Sequence, residues 1–171
     1  SLTTFISNLN IKIYKVSVHF IMYKETYKGK YRVINPKKYK GNISEVVYRS
    51  SWELRFMKWC DHNSNVLEWG SETTIIPYIS PVDNKMHRYF VDFYIKIKDK
   101  KNKIKKFLIE IKPEKFTKPP SIPKKKTKKF INEVFTYGTN QAKWKQANEY
   151  CLDRGWQFLV LTENDLGIHA K

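Results

Sequence analysis

Two alternating runs constrain this chain most: "HRYFVDFYIKIK" (87–98) and "FLIEIK" (107–112), joined through the polar stretch "KDKKNKIK". Side chains on a strand point to alternate faces. In the first run Tyr89, Val91, Phe93, Ile95 and Ile97 share one face, and Phe90, Asp92 and Tyr94 the other. In the second, Phe107, Ile109 and Ile111 point one way, and Leu108, Glu110 and Lys112 the other. The pattern predicts two strands and a hairpin turn. It sets Asp92 amid aromatics and puts Glu110 and Lys112 where a core is expected. An isolated Glu-x-Lys is most often a surface ion pair on an edge strand, so its meaning depends on what else converges there.

The flanking segments supply candidates. In "SEVVYRSSWELRFMKWCDHN" (44–63), Ser44 suits an N-cap and Glu45 a first turn. Val46, Val47, Leu54, Phe56, Met57 and Cys60 recur at helical spacing. Glu53 lies seven residues from both Val46 and Cys60, on their apolar face. A buried carboxylate is costly unless paired or metal-bound; an internal salt bridge to Arg49 is the plain alternative. "NVLEWG" leads into "TTIIPYIS", where Pro77 marks an edge or a strand end. Residues 113–129, rich in Pro and Lys, predict a long exposed loop. "TNQAKWKQANEYCLDRG" predicts a helix capped by Thr139 or Asn140 and closed by Gly155, and "WQFLVLT" a last buried strand. The order αβββαβ predicts an α/β or α+β domain, a mixed β-sheet flanked by helices.

Charge points to the partner. Lys and Arg number 33 against 16 Asp and Glu, a net +17, which favours a polyanion, nucleic acid ahead of an anionic membrane surface. Phosphate contacts supply affinity without sequence information. Residues 24–43 read as an extended basic arm, with tyrosines to stack and lysines to meet phosphates, or equally as a segment packed by Tyr31 and Tyr39. The organisation expected is an N-terminal extension and arm over 1–43 and one domain over 44–171; with 41% hydrophobic residues in 171, one core is enough. Residues 1–21 differ in composition from the rest of the chain and read as an upstream extension, with Met22 a natural start. Cys60 and Cys151 are expected to be reduced core thiols, and no Cys/His cluster suggests zinc. No apolar run approaches the ~20 residues that span a bilayer, so no membrane association is expected.

Asp92 and Glu110 lie on neighbouring strands, in a register that can share a face with Lys112, and Glu53 reaches it if the first helix packs there. Converging carboxylates repel unless a cation sits between them. All-oxygen ligation suits Mg²⁺, with Mn²⁺ as a substitute. Such an ion stabilises charge on an attacked phosphate and lowers the pKa of bound water. A lysine beside it can orient or deprotonate that water.

The set Glu…Asp…Glu-x-Lys in helix–strand–strand order resembles the PD-(D/E)xK nuclease superfamily, with its restriction-endonuclease-like core. More closely, "YRSSWELRFMKWCD", "EWGSE", "IPYISPVDNKMHRYFVDFYIK" and "IEIKP" are similar to the head-completion nucleases of tailed myophages, over about Tyr27 to Thr162. The resemblance implies a Mg²⁺-dependent DNA endonuclease acting on packaged DNA ends. It implies Asp92 and Glu110 as metal ligands, helped by the Ile111 carbonyl, Lys112 as the catalytic lysine and Glu53 as the helix carboxylate completing the site. Val91 stands where the family has proline, which only shapes the strand. Gln146 and Tyr150 show a Q-x-x-x-Y spacing found in one branch, although Tyr150 also suits a core. Lys143, Arg49, Arg88 and Lys124, Lys125 and Lys126 are candidate DNA contacts, each with the alternative of a solvated charge. The implied partners are DNA and phage head or portal proteins, in the host cytoplasm or the virion. A double-strand cutter with one site per chain needs two chains, hence a homodimer. Two other readings stay open: a non-catalytic DNA-end-binding head-assembly protein, and a homing or repair endonuclease of the same fold.

Overall fold

A computed structural model describes residues 27–168. The expected extension over 1–21, the start at Met22 and residues 24–26 of the basic segment lie outside them. A ribbon of β1 (Gly29–Lys30) and β2 (Val47–Tyr48) precedes α1 (Ser51–His62). Then β3 (Val66–Ile79), β4 (Met86–Lys98) and β5 (Ile104–Ile111) form an antiparallel meander, α2 (Lys128–Leu152) crosses over, and β6 (Gln157–Leu161) returns parallel to β5. The four-stranded order β3-β4-β5-β6 is the mixed sheet expected, and Pro77 does lie on an edge strand.

The alternation of β5 places a helix on each face of the sheet. Phe107 and Ile109 pack with Phe56, Met57 and Cys60 of α1. Leu108 packs on the other side with Trp144, Ala147 and Cys151 of α2. Each large side chain fully withdrawn from water is worth about 1.5–3 kcal/mol, so these two apolar layers hold the three-layer sandwich. Both cysteines are free and buried, as expected.

β4 departs from the single face read in the sequence. All five of its alternating apolar residues are buried. Phe93, Ile95 and Ile97 join the α1 layer, however, while Tyr89 and Val91 join the α2 layer. The change falls at Asp92, opposite a register shift in β3 between Ser71 and Thr74. Bulges of this kind sharpen local twist, and here the outer half of the hairpin turns its apolar face onto α2.

Both helix starts differ from expectation. The cap of α1 is Ser50, not Ser44: Ser50 Oγ accepts from the Glu53 N–H at 3.1 Å. Val46 and Val47 are not helical. Val47 pairs with Lys30, and the Val46 carbonyl accepts from the Tyr31 N–H at 2.8 Å; β-branched neighbours suit that extended geometry. α2 begins at Lys128, with Thr127 as its cap, so the Pro/Lys-rich loop ends two residues early and the helix starts well before Thr139. Its first turns carry Ile131, Val134 and Phe135 at helical spacing, yet those residues stay exposed. β6 runs from an exposed Gln157 through half-buried Phe158, Leu159 and Val160 to a buried Leu161.

For residues 27–43 the packed reading describes Tyr31 and Tyr39. Tyr31 is buried and donates to Asp61 Oδ2 at 2.9 Å; the Ile34 and Asn35 N–H groups donate to the same carboxylate at 2.7 and 3.0 Å. Tyr39 meets Trp69 edge-on with ring centres 4.7 Å apart. Lys38 Nζ donates to the carbonyls of Cys60, Asp61 and Asn63 at 2.8–2.9 Å, a cation on the C-terminal end of α1. Among the described residues no helix is long and apolar enough to cross a membrane.

Candidate active site

The site forms where β4 and β5 part. Their ladder ends at the pair Phe93–Ile109. The next residue of β4, Asp92, replaces the missing rung with its side chain: Oδ2 accepts from the Ile111 N–H at 2.8 Å. Glu110, one residue before Ile111, is only 5% exposed. Its Oε2 accepts from the Tyr89 hydroxyl at 2.6 Å, and Lys112 Nζ lies 3.2 Å from Oε1. The Lys112 N–H donates to the Leu161 carbonyl at 2.9 Å, which ties the end of β5 to β6.

Glu53 approaches from α1. It stands three residues after the cap, where a glutamate closes a capping box. Its Oε2 accepts from the Arg49 N–H at 2.7 Å, and Ser50 Oγ lies 3.3 Å from Oε1. The side chain thus folds back over the helix start, and the expected inward aim from Val46 does not apply because Val46 is not helical. The salt bridge weighed for Arg49 goes elsewhere: its guanidinium grips Glu72, with contacts of 2.9–3.3 Å. Glu72 sits at the β3 bulge with φ 53°, an uncommon left-handed conformation for a residue with a side chain.

Electrostatics bind these groups into one cluster. Burial raises the Asp92 carboxyl well above the usual range; Glu110 and Glu53 add to the rise, while the Ile111 N–H and Lys112 oppose it. Burial also raises Glu53, against the Arg49 N–H and Ser50. Lys143, on α2, is lowered mainly by burial, with Glu110 and Asp92 acting to hold its proton. Its Nζ lies 5.6 Å from the Tyr78 ring centre and 5.5 Å from that of Tyr89, within cation–π range. Burial and Glu110 together push the Tyr89 phenol far up, so it remains a donor.

Asp92, Glu110, Ile111, Lys112 and Lys143 therefore come together, with Glu53 at their edge. Gln146 is half-buried one turn beyond Lys143. Tyr150 packs against Trp156, with Arg154 over its ring at 3.5 Å, a structural setting. Arg88 is exposed on β4 beside Phe90, and Lys124, Lys125 and Lys126 are exposed ahead of α2. Sequence reasoning missed Tyr89, which it counted as core. The one available signal was the phenol itself, since a buried Tyr hydroxyl usually has a partner.

Among the described residues no group of three or more His, Cys, Asp and Glu side chains is arranged to hold an ion. The donors at the parting of β4 and β5 are two carboxylates and the Ile111 carbonyl, all hard oxygens of the kind Mg²⁺ and Mn²⁺ take. Both carboxylates are held by main-chain or side-chain donors; Asp92 is raised first by burial, and the repulsion from Glu110 that adds to it is of the kind a cation relieves. The residues present fit a hard divalent ion.

Comparison with known proteins gives the family of the chain. The family model described as TnsA-like endonuclease N terminal matches residues 63–163, a span that includes Asp92, Glu110 and Lys112. The head completion nuclease of Enterobacteria phage T4 is 41% identical over 144 residues, covering 82% of this chain and 93% of that protein. No solved structure matches the chain significantly. On the matched span and on its identity to the phage T4 protein, the chain belongs to the TnsA-like endonucleases, nucleases of the PD-(D/E)xK type.

Proposed function

We propose that the chain is a Mg²⁺-dependent DNA endonuclease that acts on DNA ends during phage head completion. The observation that carries this reading is Asp92 and Glu110 meeting where β4 and β5 part, with Lys112 on Glu110. The head-completion role rests on likeness to the phage T4 protein. Asp92, Glu110 and the Ile111 carbonyl would hold the ion, which supplies charge stabilisation at the phosphate and a lower pKa for bound water. Lys112 orients the attacking water, whose oxygen bonds to phosphorus and gives up a proton to solvent as the opposite P–O bond breaks; the leaving oxygen is protonated from solvent. Glu53 adds negative charge behind Asp92, and Lys143 faces the phosphate from α2. A pure end-binding protein would gain nothing from setting carboxylates against phosphate. The direct test is incubation of supercoiled and linear DNA with the protein, with and without Mg²⁺, beside Asp92→Ala. Cutting that needs both the metal and Asp92 supports the reading; metal-independent or Asp92-independent cutting refutes it.

Two further results are expected. Tyr89→Phe keeps the ring and removes one hydroxyl, so the fold should survive while Glu110 loses its fixed orientation. Removing such an outer partner costs about 10-fold in metal affinity or activity. A titration of cleavage against Mg²⁺ should show the midpoint moving to higher concentration, and an unchanged curve would remove Tyr89 from the site. For Lys124, Lys125 and Lys126, nonspecific phosphate contacts predict that log K falls with log salt by roughly 0.9 per phosphate neutralised. Converting all three to glutamate should flatten that slope; an unaltered slope would show that these lysines do not touch DNA.

A further inference from the structure

Beyond Asp92 the β3–β4 hairpin runs on without β5. One side of this extension is covered, with Ile76, Tyr78, Tyr89 and Val91 packed beside Trp144 and Ala147. The other side is open. Its cross-strand pairs are Ile75–Phe90, Pro77–Arg88 and Ile79–Met86. Ile75, Ile79, Met86 and Phe90 are 45%, 49%, 64% and 42% exposed. None of the paired positions is acidic, and the Arg88 guanidinium carbon lies 5.4 Å from the centre of the Phe90 ring. Scattered exposed apolar residues need no explanation, but a contiguous row does. Phe90, Arg88 and Met86 follow Asp92 at every second residue of one strand. The open row thus leads directly away from the candidate metal ligand, at ~7 Å per step.

We propose that this face receives unpaired nucleotides beside the scissile phosphate, with a base stacked on Phe90 and Arg88 on a neighbouring phosphate. The inference rests on the nuclease reading and names its substrate class: DNA ends or junctions with single-stranded character, ahead of intact duplex. An unpaired base offers a π-face that a duplex keeps in its own stack, and aromatic rings interleaved with cations are how single strands are held. Charge argues for this occupant over a second copy of the chain. A two-fold contact centred on the patch would bring Arg88 towards its own copy in a molecule of net charge +17.

Fluorescence anisotropy without divalent metal, at one fixed salt concentration, tests it with a blunt duplex, a duplex bearing a single-stranded tail, and the single strand alone. The wild type should bind the tailed duplex at least about 10-fold more tightly than the blunt one. Phe90→Ala should weaken tailed binding by about 5- to 150-fold, the weight of one base–aromatic stack, with blunt binding nearly unchanged. Phe90→Trp should restore the tailed affinity. Phe90 is exposed, so the fold should hold, and a melting curve checks it. Equal wild-type affinity for tailed and blunt duplex, or equal loss on both in Phe90→Ala, overturns the proposal. So does a dimer that Phe90→Ala converts to monomer in sedimentation. Cleavage of the tailed duplex by wild type and Asp92→Ala with Mg²⁺ reads the underlying function separately. Asp92-dependent cutting with unchanged Phe90→Ala binding sinks the hairpin proposal alone; tail binding that depends on Phe90 without any cutting sinks the nuclease reading alone.

Discussion

Asp92→Asn is expected to reduce cleavage by about a thousandfold or more, and at the same time to raise the melting temperature of the metal-free protein. The loss follows from the several kcal/mol of transition-state stabilisation that a bound ion supplies, each 1.36 kcal/mol being about tenfold in rate. The gain follows from the environment of Asp92, which burial, Glu110 and Glu53 all make unfavourable for a charge. Asparagine keeps an oxygen to accept from the Ile111 N–H and carries no charge. For a chain of this size each 1 kcal/mol relieved adds about 2–4 °C.

The pH dependence has a definite sign. The folded pKa of Asp92 is raised, so the folded protein holds a proton that the unfolded chain releases. As pH rises from the ordinary aspartate range through the raised value, the metal-free fold loses stability. On the proposed reading, bound Mg²⁺ would displace that proton, so metal affinity should fall as pH drops through the same window. Melting curves at about pH 5 and pH 8, with Mg²⁺ or chelator, should show wild type less stable at the higher pH only when metal is absent, and Asp92→Asn with a smaller pH dependence, left by the raised Glu53, and little response to Mg²⁺. A mutant that melts lower than metal-free wild type at the higher pH would show the Asp92 charge to be structural.

Asp92, Glu110 and Lys112 were legible because period-two alternation gives each residue of a strand a definite side, and a charged residue on the apolar side stands out. The same rule failed over Tyr89 and Val91. Alternation describes one strand and carries no information on the β3 bulge that turns the hairpin onto α2. Ser44 was a plausible cap by residue type; Ser50 won because β2 finds a partner in β1, a tertiary pairing outside any local window. The start of α2 was hidden because Ile131, Val134 and Phe135 have helical spacing but meet no core, and because the lysine-rich run before them reads as loop. Tyr89 was lost for a simpler reason: an aromatic ring in an apolar row looks like packing, and only its hydroxyl has a second use.

Glu53 remains the carboxylate whose two uses can be separated by substitution. Its oxygens brace the start of α1 through the Arg49 N–H and Ser50, and its charge adds to the repulsion on Asp92. Glutamine keeps an acceptor for the Arg49 N–H and removes the charge. Glu53→Gln should therefore leave metal-free stability equal or higher, while metal affinity and cleavage fall by about 10- to 100-fold, the usual weight of a supporting group at a metal site. Alanine removes both uses. Glu53→Ala should lose a similar share of activity and also about 0.5–1.5 kcal/mol of stability, the net worth of the hydrogen bond it accepts from the Arg49 N–H. The contrast between the two variants is the measurement, taken from melts with and without Mg²⁺ and from cleavage rates over a range of metal concentration. If Glu53→Gln melts well below metal-free wild type yet cuts DNA at the normal rate, Glu53 serves the helix start alone, and the metal site consists of Asp92, Glu110 and the Ile111 carbonyl.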